Sequence, residues 1–542
     1  MAQTATGRAD WEVAAQDKRK QLEKEVHDII QGIPPLVIDL PSNVTRIPKR
    51  VLLDSDVQIT ETRAEILVQQ IATGKLSSLK VTRAFVQRAA IASRLVNCAT
   101  EFMTEAAEER ARYLDDYLQR NGRTVGPLHG LPISAKEHMK LKGLDCNASF
   151  VSLIGSEAQS DALIAQILLQ AGCIFYVRTT EPQTLMQLET SNNIYGVTVN
   201  PYNRSLTAGG SSGGEGALLG LHGSCLGIGS DIGGSIRSPA ASNGVFGLRP
   251  TSYRLPLDGF VAASAGPGQV TPVVGPLSTS LAGIELFMKT IIDAEPWTRD
   301  SALVPMPWRS SSRLSTTGAG IKRKFRIGVL IDDGIVRPHP PILRALAVIR
   351  KKLEDSGEFD VLDFAPYKHD EAWRIINSLY FADGGVDIKN ALEASGEPLR
   401  PLSRFILEEN PRVKSLTVRE VSELKAQRDR YRDEYLAHRN NTMASLNTDK
   451  PEGSVLEDRA VDHADLILCP AGPGCALPLN TSKYWPYTSQ WNLLDYPAIV
   501  FPTRMTGVVS DRQEVYVPRN ERDVYNQSLC ESCSLMTTKK SC

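Results

Sequence analysis

Short apolar runs alternate with segments of helical periodicity along most of this chain, and that alternation limits the folds open to it. Leu131 to Ser134, Cys173 to Val177, Phe325 to Ile331, Val361 to Phe364, Leu466 to Leu468 and Ala498 to Phe501 read as strands. Ala162 to Ala171 and Ile342 to Leu353 read as helices set among them. Strands separated by helices favour a parallel or mixed sheet covered on its faces, so the expected class is α/β.

The N-terminal part is patterned differently. Residues 11–31 read as a helix, with Trp11, Val13, Leu22, Val26 and Ile29 spaced among charges. The proline-bearing stretch Ile33 to Arg50 reads as an extended arm. Thr62 and Glu65 have the spacing of a capping box ahead of a helix through Ile66, Leu67 and Ile71. A further helix near Lys80 to Arg94 buries Val81, Phe85 and Ala89. Residues 1–58 are therefore expected to form a peripheral arm, and 59–529 the core domain. Arg309 to Gly320 reads as a surface loop or linker, and Arg419 to Arg439 as a solvated helix face.

Charge and composition exclude several classes of function. The net charge is −1, so there is no basic excess to neutralise a phosphate backbone, and no nucleic-acid partner is expected. No stretch approaches the ~20 apolar residues that a membrane-crossing helix needs, and the first residues lack the apolar run of a secretory signal. The nine cysteines are scattered, which fits a reducing, cytoplasmic setting. Cys530 and Cys533 form a CxxC, but no βαβ unit follows and no second pair is suitably spaced. Neither a metal nor an organic cofactor is expected.

The chemistry concentrates in Gly209 to Arg237, GGSSGGEGALLGLHGSCLGIGSDIGGSIR. Two glycine-rich loops, Gly209 to Gly216 and Gly227 to Ser235, carry serines where backbone N–H groups lie open. A hydroxyl beside free N–H donors suits acyl transfer: the oxygen attacks a carbonyl and the N–H groups hold the oxyanion. The first loop lacks the Gly-Lys-Ser/Thr ending of a P-loop, and Ile232 stands where a dinucleotide loop needs its third glycine. Two bases are available. His222 lies within the region, although no G-x-S-x-G elbow accompanies it. Lys136 follows the apolar run in GPLHGLPISAKEHMKLKG, at a strand end of the kind that lines α/β active sites. Lysine must be neutral to act, and burial lowers its ordinary pKa of about 10.4. On these residues alone both pairings stay open.

GGSSGGEGALLG, GIGSDIGGSIRSPAA and GLPISAKE together resemble the amidase signature family. WEVAAQDKRKQL, PVVGPLSTS, PWTRDSALVPMPWR, RPHPPILRAL and ASGEP resemble its fungal acetamidase branch, over roughly residues 10–528. The resemblance implies a three-layer α/β/α fold with a central mixed, mostly parallel twisted sheet. It implies a Ser-cisSer-Lys triad with Ser235 as nucleophile, Ser211 as bridging serine after a cis peptide bond, and Lys136 as base. The oxyanion donors would be the N–H groups of Ile232, Gly233, Gly234 and Ser235, with Leu185 offering its backbone carbonyl to the substrate. Ser212, Asp231 and Arg237 would support the loop. The implied reaction is hydrolysis of a small, acetamide-like carboxylic amide to acid and ammonia through an acyl-serine; the oligomeric state is left open by the sequence, a homodimer being one assembly compatible with it.

One departure stands against the family pattern. After Leu529 the chain reads CESCSLMTTKKSC, where the family continues into another strand and a closing helix. Residues 530–542 are expected to be an irregular, disordered tail in their place. Two alternatives follow: an inactive or unstable homologue, and an amidotransferase subunit acting with partner chains.

Overall fold

The computed structural model describes residues 10–34, 39–262, 269–309, 324–442, 463–508, 511 and 516–537. In chain order its strands are β1 (Ala99–Phe102), β2 (Pro132–Lys136), β3 (Ile174–Thr179), β4 (Ser191–Asn192), β5 (Gly196–Val197), β6 (Leu226–Asp231), β7 (Phe246–Arg249), β8 (Val273–Ser278), β9 (Phe325–Val329), β10 (Phe359–Asp363), β11 (Leu466–Leu468) and β12 (Ala498–Val500). Seven of them form a mixed sheet in the order β1-β3-β2-β6-β8-β7-β12. Its parallel pairs are β3-β2 and β2-β6, and the strands outside that centre pair antiparallel. A second sheet, β10-β9-β11, is parallel throughout. β4 and β5 form a short hairpin. The chain is thus α/β, with helices covering a mixed sheet.

Every residue of β2, β3, β6 and β8 is buried. A strand buried on both faces requires covering elements on both faces. The helices Ser78–Val96 and Gly213–Gly220 pack on the central strands, and Leu281–Asp293 packs on β7 and β8. Ser78–Val96 has clear local causes. Ser77 accepts the N–H of Lys80 at its start, and Asn97 closes it in the left-handed region. In between, an apolar face including Val81, Phe85 and Ala89 is buried completely.

β2 ends at Lys136 and β6 at Asp231, and the two strands run parallel side by side. Both residues therefore reach the same end of the sheet, the end at which parallel α/β sheets present their ligand crevices.

Four local expectations need correction. The helix Ala64–Ala72 forms without a capping box: Thr62 Oγ1 donates to Gln58 O, and Glu65 instead accepts from Ser280 Oγ at 2.6 Å. The stretch Ile33 to Arg50 is not extended throughout. Ile47–Val51 is helical, with Pro48 in its first turn, where the missing N–H costs nothing. The helix Val418–Asn441 is largely solvated, yet Leu424, Tyr431 and Tyr435 are buried in an aromatic cluster. Finally, the helix Glu521–Thr537 continues into the segment expected to be irregular. Its first turn is anchored by the Asp523 carboxylate, which accepts from the N–H groups of Arg337 and Arg519, and its packed face reaches Leu529 and Cys530. Beyond Arg309, the expected linker lies outside the described residues.

Candidate active site

Lys136 occupies the end of a strand flanked by β3 and β6, and its side chain has no exposure to solvent. Nζ donates to Ser211 Oγ at 2.6 Å and to Ser230 Oγ at 3.0 Å. Glu181 Oε2 lies 3.9 Å away. Burial pushes the ammonium down to about 8, against the pull of Glu181, Asp231 and Glu215. The same burial raises Glu215 to about 7, although Ser134 Oγ and Thr179 Oγ1 both donate to it. Burial, with the Glu137 carboxyl group beside it, raises Glu181 well above the carboxylate range, and neither oxygen of Glu181 accepts a hydrogen bond among the described residues.

The two glycine-rich stretches meet over this lysine, but neither is a loop throughout: Gly213–Gly220 is helical and Leu226–Asp231 is β6, which leaves Gly209–Ser212 and Ile232–Ile236 as the loops. The Gly210–Ser211 peptide is cis. Gly210 sits so close to the main chain of Glu189 that a Cβ there would come within 2.4 Å of its carbonyl oxygen, so no other residue fits. Ser212 N donates to Ser235 O at 3.0 Å, and Ser212 Oγ lies 3.4 Å from both O and N of Ser230. Ser212 thereby ties the loop of Ser211 to the loop of Ser235. Lys136 and Ser211 are hydrogen-bonded directly. Ser235 is held beside them through its backbone, and its Oγ makes no hydrogen bond among the described residues. The expected chain of three side chains is therefore half formed.

The peptide planes from Ile232 to Ser235 are turned from outside the loop. Tyr380 Oη donates to Ile232 O at 2.6 Å, Thr488 Oγ1 to Gly233 O at 2.6 Å, and Ser238 N to Gly234 O at 2.7 Å. In a planar trans peptide the following N–H points opposite to the carbonyl. Holding these carbonyls therefore sets the directions of the next three N–H groups. One direction overturns an expectation: Gly234 N donates to Asp231 Oδ1 at 2.9 Å, so this N–H is not available to an oxyanion. Those of Ile232, Gly233 and Ser235 have no such partner among the described residues. Gly234 has φ +131, and a Cβ there would meet Thr488 Oγ1 at 2.3 Å.

Asp231 is the fixed point of the loop. Its carboxylate accepts from Gly234 N, Ile236 N, Arg237 Nε and Nη2, and Asn492 Nδ2. Burial opposes its ionisation, but Arg237 and Asn492 outweigh that and hold it well below the usual carboxylate range. Arg237 also donates to Thr488 O and Asn492 Oδ1. The helix Pro486–Leu494 is thus locked to the loop at two points.

Leu185 lies in a left-handed turn with Thr184. Its side chain joins an apolar cluster with Phe381 and Trp485, and its carbonyl accepts no hydrogen bond among the described residues. His222 also sits in a left-handed turn, where its electrostatic neighbours are Arg88, Glu61 and Lys49 rather than the serines. Among the described residues no group of His, Cys, Asp and Glu side chains is arranged to hold a metal ion. No helix among them is long and apolar enough to cross a membrane. Sequence reasoning missed Ser230, His138, Glu181, Tyr380, Thr488 and Asn492. The first two stood inside quoted motifs. Tyr380, Thr488 and Asn492 come from distant helices and carried no local signal.

Comparison with known proteins adds an independent line. A family model described as Amidase matches residues 80–523. An acetamidase of Aspergillus oryzae is 39% identical over 520 residues, covering 95% of this chain and 91% of the relative. An acetamidase of Emericella nidulans is 40% identical over 507 residues, covering 93% and 88%. Among solved structures, a fatty acid amide hydrolase superposes with a TM-score of 0.82 at 34% identity, covering 96% of this chain and 90% of that one.

Proposed function

The chain belongs to the amidase family and is a hydrolase of amide C–N bonds; from that premise we propose that it cleaves small carboxylic amides through an acyl-enzyme on Ser235, with Ser211 and Lys136 as the proton relay. The observation that carries this reading is a lysine without solvent exposure, 2.6 Å from the hydroxyl of Ser211, in a loop bonded to that of Ser235.

Neutral Lys136 accepts the Ser211 proton while Ser211 accepts that of Ser235. The Ser211–Ser235 contact closes when substrate arrives, as catalytic hydrogen bonds commonly tighten only in the complex. Ser235 Oγ attacks the amide carbon, and the carbonyl oxygen becomes an oxyanion. The N–H groups of Ile232, Gly233 and Ser235 receive it, each such donor contributing roughly 3 kcal/mol. The relay then returns a proton to the amide nitrogen, and ammonia leaves. Water, deprotonated by the same relay, attacks the ester, releases the carboxylic acid and restores Ser235. The Leu185 carbonyl accepts an N–H of the substrate amide, and Ser212, Asp231 and Arg237 hold the loops in place. The acetamidase relatives support a short acyl group.

A fluorophosphonate trap followed by peptide mapping tests the nucleophile. Label is expected on Ser235 and lost in Ser235→Ala; label elsewhere overturns the assignment. A panel from formamide to long-chain and aromatic amides tests the substrate class. Turnover is expected to be fastest for short aliphatic amides.

A further inference from the structure

We propose that His138 is a positioning residue: by fixing the hydroxyl of Ser230 it directs the lone pair of Lys136 toward Ser211. The inference rests on the relay proposed above and assigns a role to a side chain that relay does not use.

The argument follows the hydrogens one at a time. His138 is buried, with Phe260 edge-on at 5.2 Å. Its Nδ1 lies 2.8 Å from the carbonyl oxygen of Val261, and its Nε2 lies 2.9 Å from Ser230 Oγ. A carbonyl oxygen only accepts, so Nδ1 carries the hydrogen. Burial, together with the nearby Lys136 and Arg178, keeps the imidazole neutral, so Nε2 is bare. A bare nitrogen only accepts, so the Ser230 hydroxyl donates to it. Ser230 Oγ then meets Lys136 Nζ, 3.0 Å away, solely as an acceptor.

A neutral amine has two hydrogens and one lone pair. One hydrogen is directed to Ser230, whose own proton is turned away toward His138. Ser230 therefore does not compete for the lone pair. The remaining close partner of Nζ is Ser211 Oγ at 2.6 Å, the hydroxyl from which a proton must be taken. The other charged or titratable groups acting on Lys136 are Glu181, Asp231 and Glu215. Among the described residues only Glu181 lies within ion-pair reach, at 3.9 Å, and without a hydrogen bond. Without the imidazole, the Ser230 hydroxyl is free to rotate and donate to the amine, placing a second proton on the lone pair that should serve Ser211.

A double-mutant cycle separates this from a packing role. His138→Phe keeps the ring volume and removes the acceptor; kcat for amide hydrolysis is expected to fall about 10- to 100-fold with KM changed less than about twofold. In a Ser230→Ala background there is no hydroxyl to misdirect, and His138→Phe is expected to have no further effect on kcat. Equal losses in both backgrounds would overturn the inference and make His138 a structural residue. His138→Met serves the same cycle if phenylalanine is not tolerated at this site. Failure of the underlying relay is distinguishable, because Lys136→Met would then turn over amides as fast as the unaltered protein.

Discussion

A lysine can remove a proton from a serine only where its own charge is disfavoured, and Lys136 meets that condition by place rather than by type. It is enclosed at the end of a central strand, and three carboxyl groups partly offset the desolvation. Lys136→Met preserves much of the volume and removes the amine, so kcat for a short amide is expected to fall by about 10²- to 10⁴-fold with the protein still folded. A steady-state assay beside a thermal melt checks both halves. Ser211→Ala is expected to fall in the same range, and combining it with Lys136→Met should add little, because the two act as one unit. At this scale the sequence was highly readable. Lys136, Ser211 and Ser235 each stand inside a motif whose residue types suit acyl transfer, but the choice of base and of nucleophile came from the family resemblance and not from the residues alone. Their partners were not readable. The Ser230–His138 contact spans 92 positions, and the Thr488–Gly233 contact spans 255. A hydrogen bond across such a separation leaves no periodicity in the chain.

At the scale of elements, the loop after β6 acts as a unit whose peptide directions are set by two helices. Tyr380 belongs to the helix His369–Tyr380, and Thr488 to Pro486–Leu494. Tyr380→Phe keeps the ring among its aromatic neighbours and releases the Ile232 carbonyl. A loss of about tenfold in kcat, with KM nearly unchanged, is expected from a misdirected Gly233 N–H. Asp231→Asn weakens the anchor of the same loop and leaves Arg237 buried without its charge partner, which costs about 3–5 kcal/mol near pH 7. The sign of its pH dependence follows from a depressed folded-state pKa. The stabilisation is complete above the unfolded carboxyl value of about 3.9 and is lost as pH falls through the lower folded value. The gap in melting temperature between the unaltered protein and Asp231→Asn should therefore narrow below about pH 4. Element existence was legible from apolar spacing, as in Ser78–Val96. Local capping was less so: the Thr62/Glu65 box fails because Ser280, far along the chain, claims the glutamate.

Across the whole molecule, two sheets share the work of building one site. The seven-stranded sheet carries Lys136 and Asp231. Beside the smaller sheet lies an aromatic cluster that includes Phe364, Tyr431, Tyr435 and Trp491, and the last of these belongs to the helix that grips the serine loop. Tyr435 is fully buried, and its hydroxyl has no hydrogen-bond partner among the described residues. Tyr435→Phe is expected to raise stability by about 1 kcal/mol, and Tyr435→Ala to lower it by about 3–5 kcal/mol, as read by denaturant unfolding. β1, β7 and β8 were not read as strands and β6 was hidden by its glycines, whereas the three strands of the smaller sheet and β2, β3 and β12 of the larger could be picked out as short apolar runs. Their division between two sheets could not, because β9, β10, β11 and β12 have the same local pattern whichever neighbours they join. The central claim concerns the charge of Lys136 in the intact enzyme, and the pH dependence of kcat/KM for acetamide tests it most directly. Since only the neutral amine accepts the proton, the rate should climb about tenfold per pH unit and level off near pH 8. A profile that is flat between pH 6 and 9, or that keeps rising to the ordinary lysine range near 10.4, would contradict it.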